Sequence, residues 1–322
     1  MIIRDFAIED YPAMVNIHNS LNIVWPEQPG TPEGWAAVDK NRSSKSKHKR
    51  WVAVEDGRVV GFASYFHVPW IYPPGGFHVN VEVHSDYQHR GIGSRLYDRV
   101  MEEVTTFHPP ALRADAFTNL PQGFAFLQKR GFYEAFRETP VHLDVQAFDP
   151  VPYAGLEPRL KEEGIVIRTV RELKSDPDRD RKIYNLMCEV DKDLPHEGDE
   201  YKEPDYDSWV GWGLNDPSVL QDAFFIATRG DEYIGMRDLS SYSNNSLLGG
   251  LLGTRREYRN RGIGLAMQLR GIAYAREHGY HFLKTCTAVQ NIPMQSLFNK
   301  LGYARDPEWQ QCQKDFIKGP VL

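Results

Sequence analysis

The 322-residue sequence holds only three cysteines, Cys188, Cys286 and Cys312, and none sits in a C-x-x-C pair. An odd, scattered set excludes a disulfide framework and a structural zinc site, and a reducing cytoplasm is the expected location. Long apolar runs are missing: no stretch approaches the ~20 residues a membrane span needs, so no membrane partner is expected. The start, MIIRDFAIEDY, carries acids early and has no signal-peptide core. A basic excess is missing too. The formal net charge is -6, and a nucleic-acid partner is not expected without a basic footprint. The remaining composition, 41% hydrophobic and 25% charged, is globular and excludes a disordered or collagen-like chain. At ~150 residues per domain, the length predicts two domains.

What is present is an internal duplication. WVAVEDGRVVGF at 51–62 matches FIATRGDEYIGM at 225–236, YQHRGIG at 87–93 matches YRNRGIG at 258–264, and LQKRGF at 127–132 matches FNKLGY at 298–303. The register is nearly constant, Gly61 answering Gly235, Gly91 answering Gly262 and Gly131 answering Gly302. The starts agree as well, IIRDF at 2–6 with IVIRTV at 165–170. The sequence therefore reads as two copies of one domain, 1–149 and 165–322, joined by a connector at 150–164 that holds a short helix closed by Gly164.

In the first copy, periodicity predicts a helix over 9–21 and a hairpin over 51–66. The strand 77–84 places Val79, Val81 and Val83 on one face and His78, Asn80, Glu82 and His84 on the other. A helix over 92–104, a strand over 111–117 and a helix over 121–129 follow. The second copy repeats this with a strand at 247–254, a helix at 263–277, a strand at 281–287 and a helix at 293–300. Each copy thus has an α/β core of strand, glycine-rich loop and helix. A helix N-terminus offers unpaired N–H groups and partial positive charge, and glycine lets backbone approach an anion, so the loops suit phosphate or pyrophosphate. His89, Arg90, Arg259 and Arg261 add positive charge. Neither loop continues as GK[ST], which excludes a Walker A site. Leu96 and Met267 occupy the third small-residue position that a dinucleotide fingerprint requires.

The motifs that remain, Gln88-x-x-Gly91-x-Gly93 and Arg259-x-x-Gly262-x-Gly264, resemble the GNAT superfamily of N-acetyltransferases, which binds acetyl-coenzyme A through Q/R-x-x-G-x-G/A. The resemblance extends to Val83–Tyr87, Gly131-Phe132 and Leu301-Gly302-Tyr303. Thr285, Asn291, Met294 and Asn299 resemble the pattern of tandem acetyltransferases, the group that includes mycothiol synthase. It implies two tandem GNAT domains, each a central mixed, mostly antiparallel sheet flanked by helices. It also implies that two central strands splay apart and admit the pantetheine arm as an added strand near Val83 and Thr254. Acetyl-CoA would be held in the first copy by Val83, His84, Ser85, Gln88, His89, Arg90, Gly91, Ile92, Gly93 and Ser94. In the second it would be held by Thr254, Arg255, Arg259, Asn260, Arg261, Gly262, Ile263 and Gly264, with Asn291 and Asn299; a helix cap also explains Asn291.

Acetyl transfer to an amine needs a proton acceptor, oxyanion stabilisation and a proton for the leaving sulfur. At the position where the superfamily often has a proton-donating tyrosine, this chain has Leu127 and Phe298. At the position of a frequent strand glutamate it has Phe77 and Leu248. Glu82 and His84 are candidate bases, against a reading in which both belong to a solvated or satisfied strand face. Residues 189–207 are strongly acidic; Glu189 is a further candidate base, and Asp191 and Asp193 are candidates for binding a cationic amine, against a plain solvated loop. Trp25, Trp35 and Trp70 either shape an acceptor pocket or pack a core or lid. The expected activity is N-acetyl transfer from acetyl-CoA to a small cationic amine in a ternary complex, by a monomer or homodimer. The alternative is an acyl-CoA-binding regulatory or scaffold protein with one or both domains silent.

Overall fold

The computed structural model describes residues 1–21, 31–40, 47–67, 76–196 and 201–316. Trp25 and Trp70, and Glu197, Asp199 and Glu200 of the acidic stretch, lie outside the described residues. In chain order the elements are β1 Ile2–Asp5, α1 Tyr11–Ser20, α2 Pro32–Lys40, β2 His48–Glu55, β3 Arg58–His67, β4 Phe77–Val83, α3 Ile92–Val104, β5 Ala111–Phe117, α4 Pro121–Gln128 and β6 Tyr133–Asp144. There follow α5 Leu156–Glu162, β7 Ile165–Thr169, α6 Arg179–Asp191, α7 Tyr206–Trp209, β8 Phe225–Arg229, β9 Glu232–Ser243, β10 Ser246–Thr254, α8 Ile263–Glu277, β11 Phe282–Ala288, α9 Ile292–Leu301, β12 Ala304–Arg305 and β13 Trp309–Asp315.

The chain packs as two compact units. One is Met1–Glu138 together with the segment from Pro307 onward, and the other is Thr139–Asp306. These differ from the boundaries expected at 149 and 165. Residues from Thr139 on join the second unit, and β13 joins the first. There β13 pairs antiparallel with β5 on one side and with the first half of β6 on the other, so both its backbone edges are satisfied and Cys312 is buried. Sequence order assigned this strand to the wrong copy.

In the first unit the sheet order is β1-β2-β3-β4-β5-β13-β6, antiparallel except for β4 beside β5. The strict alternation of β4 sorts its side chains: Val79, Val81 and Val83 pack toward the core under α3, while Asn80 and Glu82 occupy the other face. Ile92, Leu96, Val100 and Val104 form the buried stripe of α3, and Met14 and Ile17 of α1 pack on Val52 and Phe62 across the sheet.

In the second unit the order is β6-β11-β10-β9-β8-β7, with β12 on β6. Here β10 and β11 are the parallel pair. The helix α8 buries Ala266, Met267, Ile272 and Ala275, and α6 buries Ile183, Leu186, Met187 and Val190. Two mixed, mostly antiparallel sheets flanked by helices are the architecture expected from the duplication.

Candidate active site

The two glycine-rich loops have the same backbone. After β4, a single turn at Ser85–Tyr87 leads through His89 (φ 59°) and Gly91 (φ 80°) into α3. After β10, a turn at Arg256–Tyr258 leads through Asn260 (φ 61°) and Gly262 (φ 87°) into α8. The left-handed torsion at Gly91 and Gly262 is one that side chains rarely adopt, and it turns the first amides of each helix toward the loop. Gln88 Nε2 donates to the Val83 carbonyl at 3.1 Å, and Arg259 Nε donates to the Thr254 carbonyl at 3.0 Å. The Q/R of the motif therefore pins the end of the strand. Ser94 Oγ accepts from Arg130 at 2.8 Å, and that guanidinium stacks 3.5 Å from the Phe126 ring centroid. Arg130 lies in the LQKRGF motif, where its spacing alone gives no sign of this contact.

The loops differ in what covers them. A Cβ on Gly91 would meet nothing within 4 Å. A Cβ on Gly262 would lie 2.8 Å from Leu156 Cδ1 and 3.3 Å from Arg159 Nη2. Arg159 also donates to the Arg261 carbonyl at 2.7 Å. The helix α5, read as a plain connector, thus covers the second loop.

Each parallel strand pair forks. β4 and β5 pair only at Phe77↔Leu112 and His78↔Arg113. Beyond that point a cavity of about 340 Å³ opens, lined by Val79–Val81, Val83, Gly91–Ser94, Tyr97 and Phe126. The pairing of β4 with β5 stops there, which suits an added extended arm. This cleft, its open loop and the first-turn amides of α3 fit a pyrophosphate joined to a pantetheine-like chain. In the second unit, β10 and β11 pair from Ser246↔Phe282 to Leu248↔Lys284, and a bulge follows between Gly249 and Leu252. The buried Arg237 fills the space behind that bulge, donating to the carbonyls of Gly250 at 3.2 Å and Asp238 at 3.1 Å. A side chain at Gly249 would collide with Arg237, and one at Gly253 would collide with Val190. Arg237 and Val190 thus occupy the space beside β10 that Gly249 and Gly253 leave open.

On the other face of β4 in the first unit lies a second cavity of about 430 Å³. Trp35, Phe62 and Phe66 form aromatic walls, with Trp35 edge-on to His18 at 5.4 Å and to Phe62 at 5.7 Å. Two histidine–carboxylate pairs line it. His18 Nδ1 is 2.9 Å from Glu82 Oε2, whose other oxygen accepts from Asn80 Nδ2 at 2.8 Å. His78 Nε2 is 3.0 Å from Asp115 Oδ2. Burial alone would lower the His18 pKa, but the hydrogen bond and charge of Glu82 outweigh it and raise it above 6.5. The two cavities share Asn80, Val81, Val83, Gln88, Asp115, Gln122 and Gly123 in their walls. They meet at the fork.

Of the expected residues, Glu82 lies in this site. His84 lines neither cavity; its Nδ1 accepts from the Asp86 amide at 3.2 Å and caps the turn. Arg90 donates to the Asp86 carbonyl at 2.9 Å, and Ser85 begins the same turn. Two of the acidic candidates are held in ion pairs with arginines. Glu189 Oε2 is 2.8 Å from Arg255 Nε, and Asp193 is paired with both Arg256 and Arg259. Those arginines hold the Asp193 carboxyl down at about 2. Burial raises the Asp191 carboxyl, against the opposing effect of His196. Asn291 caps α9, accepting from the Met294 amide at 3.3 Å; Asn299 is exposed, and Ile263 is buried in the core. His18 and Asp115 were missed. The only signal for either was its place on a helix or strand beside the motif.

Comparison with known proteins agrees with this geometry. The profile of the acetyltransferase (GNAT) family matches residues 13–132 and 182–303, so the chain belongs to that family, twice over. Its members are acyl-CoA-dependent acetyltransferases, and their cofactor is acetyl-CoA. A GCN5-related N-acetyltransferase from Sphaerobacter thermophilus is similar over 100% of this chain and 97% of its own, at 17% identity and a TM-score of 0.75. A tandem GNAT protein from the clavulanic acid biosynthesis pathway is similar over 100% and 99%, at 17% identity and a TM-score of 0.68. A glucosamine N-acetyltransferase region of a fungal multi-domain β-N-acetylglucosaminidase is similar over 97% of this chain and 38% of that longer one, at 16% identity and a TM-score of 0.70. At these identities the likeness is one of fold. A sequence search of curated proteins finds no match. Among the described residues no helix is long and apolar enough to cross a membrane, and no cluster of metal-ligating side chains occurs.

Proposed function

We propose that the first unit is an acetyl-CoA-dependent N-acetyltransferase acting on a small cationic amine by direct attack in a ternary complex. The second unit keeps the fold without turnover. One observation carries this reading: in the first unit a cleft of about 340 Å³ beside the glycine-rich loop meets a cavity of about 430 Å³ that holds the Glu82–His18 pair, the two sharing wall residues.

Bound acetyl-CoA supplies an activated acetyl thioester. The amides opening α3 and the left-handed Gly91 hold its pyrophosphate, and the β4 edge from Val79 to Val83 holds its arm. Asp39, Glu82 and Asp115 in the acceptor cavity face Arg50, His18 and His78, a balance that favours a cationic amine when the histidines are neutral. Glu82 and His18 take the proton that makes the ammonium a nucleophile. Trp35, Phe62 and Phe66 exclude water, and holding both substrates at the fork supplies effective concentration. In the second unit, Gly253 and Val190 stand where Glu82 reaches into its cavity, and the buried Arg237 lies against Gly249.

The test is thiol release from acetyl-CoA across a panel of primary amines, with wild type and Glu82→Gln. Amine-dependent release that Glu82→Gln abolishes supports the reading. Tight CoA binding with no release for any amine favours the binding-protein alternative.

A further inference from the structure

An ammonium that becomes an amide gives up two protons. One passes to water and one must end on the departing sulfur. The acceptor cavity holds two histidine–carboxylate pairs, and the Glu82–His18 pair accounts for only one of these transfers. Glu82 lines the acceptor cavity alone, whereas Asp115 lies in the walls of both cavities. Asp115 sits on β5 just past the last paired position, His78↔Arg113, where the cleft narrows to the fork. An arm lying along β4 from the α3 amides ends there.

We infer that the His78–Asp115 pair protonates the departing sulfur, with Asp115 the catalytic residue and His78 its positioning and proton-supplying partner. The inference rests on the reading of the first unit as an acetyltransferase.

The geometry suits a relay. His78 Nε2 is 3.0 Å from Asp115 Oδ2, and its ring is stacked at 4.8 Å on Phe66. His78 Nδ1 is buried with no hydrogen-bond partner among the described residues, and the ring's hydrogen bond is to Asp115. When His78 is protonated, the pair holds one transferable proton. The N–C bond forms and the C–S bond breaks, the bonding electrons going to sulfur. The one proton passes from His78 Nε2 to Asp115 and from Asp115 to sulfur, which leaves His78 neutral and Asp115 a carboxylate, and the second proton of the attacking nitrogen restores the pair. Arg113 on β5, Glu138 on β6 and Cys312 on β13 are the other charged or titratable groups that feel Asp115. Leu127, near the same cleft, has no proton to give. In the second unit, strand register puts Leu248 and Cys286 at the places of His78 and Asp115, and neither pairs as those two do.

The test is calorimetric titration of CoA and desulfo-CoA into wild type, Asp115→Asn and His78→Gln. Wild type is expected to prefer CoA about fivefold, the worth of one ordinary hydrogen bond to the sulfur. Asp115→Asn should bind desulfo-CoA as wild type does, which shows that the cleft is intact, and lose the preference. A preference that survives in Asp115→Asn overturns the inference. His78→Gln keeps a donor to Asp115 and should keep the preference, yet lower kcat about 10²-fold with the amine KM unchanged; an unchanged kcat overturns the relay. If wild type binds neither ligand, the acetyltransferase reading itself falls. If it binds both alike, only the present inference does.

Discussion

Oε2 of Glu82 lies 2.9 Å from Nδ1 of His18, which joins β4 to a helix 64 residues earlier in the chain. Neither residue is an adequate base alone. A lone carboxylate in water is too weak, and a lone imidazole in this cavity would be held neutral by burial. Their contact raises the proton affinity of the His18 ring.

Glu82→Gln should lower kcat/KM for the amine by about 10²–10⁴-fold while leaving CoA affinity unchanged. The pair acts as a base only when deprotonated, and the His18 pKa is raised. The acidic limb of the kcat/KM profile is therefore expected above pH 6.5, moving to lower pH in Glu82→Gln as the carboxylate's charge is lost. A pH–rate profile of both enzymes checks this.

Calorimetry should give one CoA per chain. Gly91→Glu should abolish binding, because its side chain enters the open loop, and at φ 80° should cost about 1–2 kcal/mol of stability in urea unfolding. Gly262→Ala should leave the stoichiometry at one, because Leu156 and Arg159 already cover that loop. A stoichiometry of two in wild type would contradict the covered loop.

Asp193→Asn should lower the melting temperature at neutral pH and leave amine acetylation unchanged. The folded-state pKa of Asp193 is depressed to about 2, so its stabilisation is present above the unfolded value of 3.8 and lost as pH falls through about 2. The gap between variant and wild type should close across that window. Arg256 and Arg259 are exposed, so the gap should also shrink in high salt.

Arg237→Ala should destabilise the protein by about 3 kcal/mol in urea unfolding, because it opens a cavity and strips the Gly250 and Asp238 carbonyls of a buried donor. Below the transition, turnover should match wild type. Lost turnover in folded Arg237→Ala would give the second unit a catalytic role.

Features with a local cause were legible from residue order. The spacing of Ile92, Leu96, Val100 and Val104 marks α3 because a helix buries one stripe, and the bounds observed are those expected. The alternation in β4 placed Glu82 opposite the valines, as found. What escaped depends on partners distant in sequence. His18 looks like any polar residue of an amphipathic helix until β4 brings Glu82 to it. Asp115 matters because β4 and β5 diverge immediately after His78↔Arg113, a fact of register rather than composition. Arg255 and Arg259 looked free for phosphate, Glu189 for a base and Asp193 for an amine; Glu189 pairs with Arg255, and Asp193 pairs with Arg259 and Arg256. Leu156 closes the second loop from a segment that carries no motif.

The place of β13 has a further consequence for how the chain is made. It completes the sheet of the unit that holds the open cleft, and Tyr133 on β6 donates to Asp315 on β13 across 182 residues. During synthesis from the N-terminus, the intervening unit can close before β13 has emerged, while β5 and β6 wait with unpaired edges. The half with the open cleft is then finished last, although it is translated first. A chain released early, before β13, would carry every residue of the proposed site and an incomplete sheet to hold them.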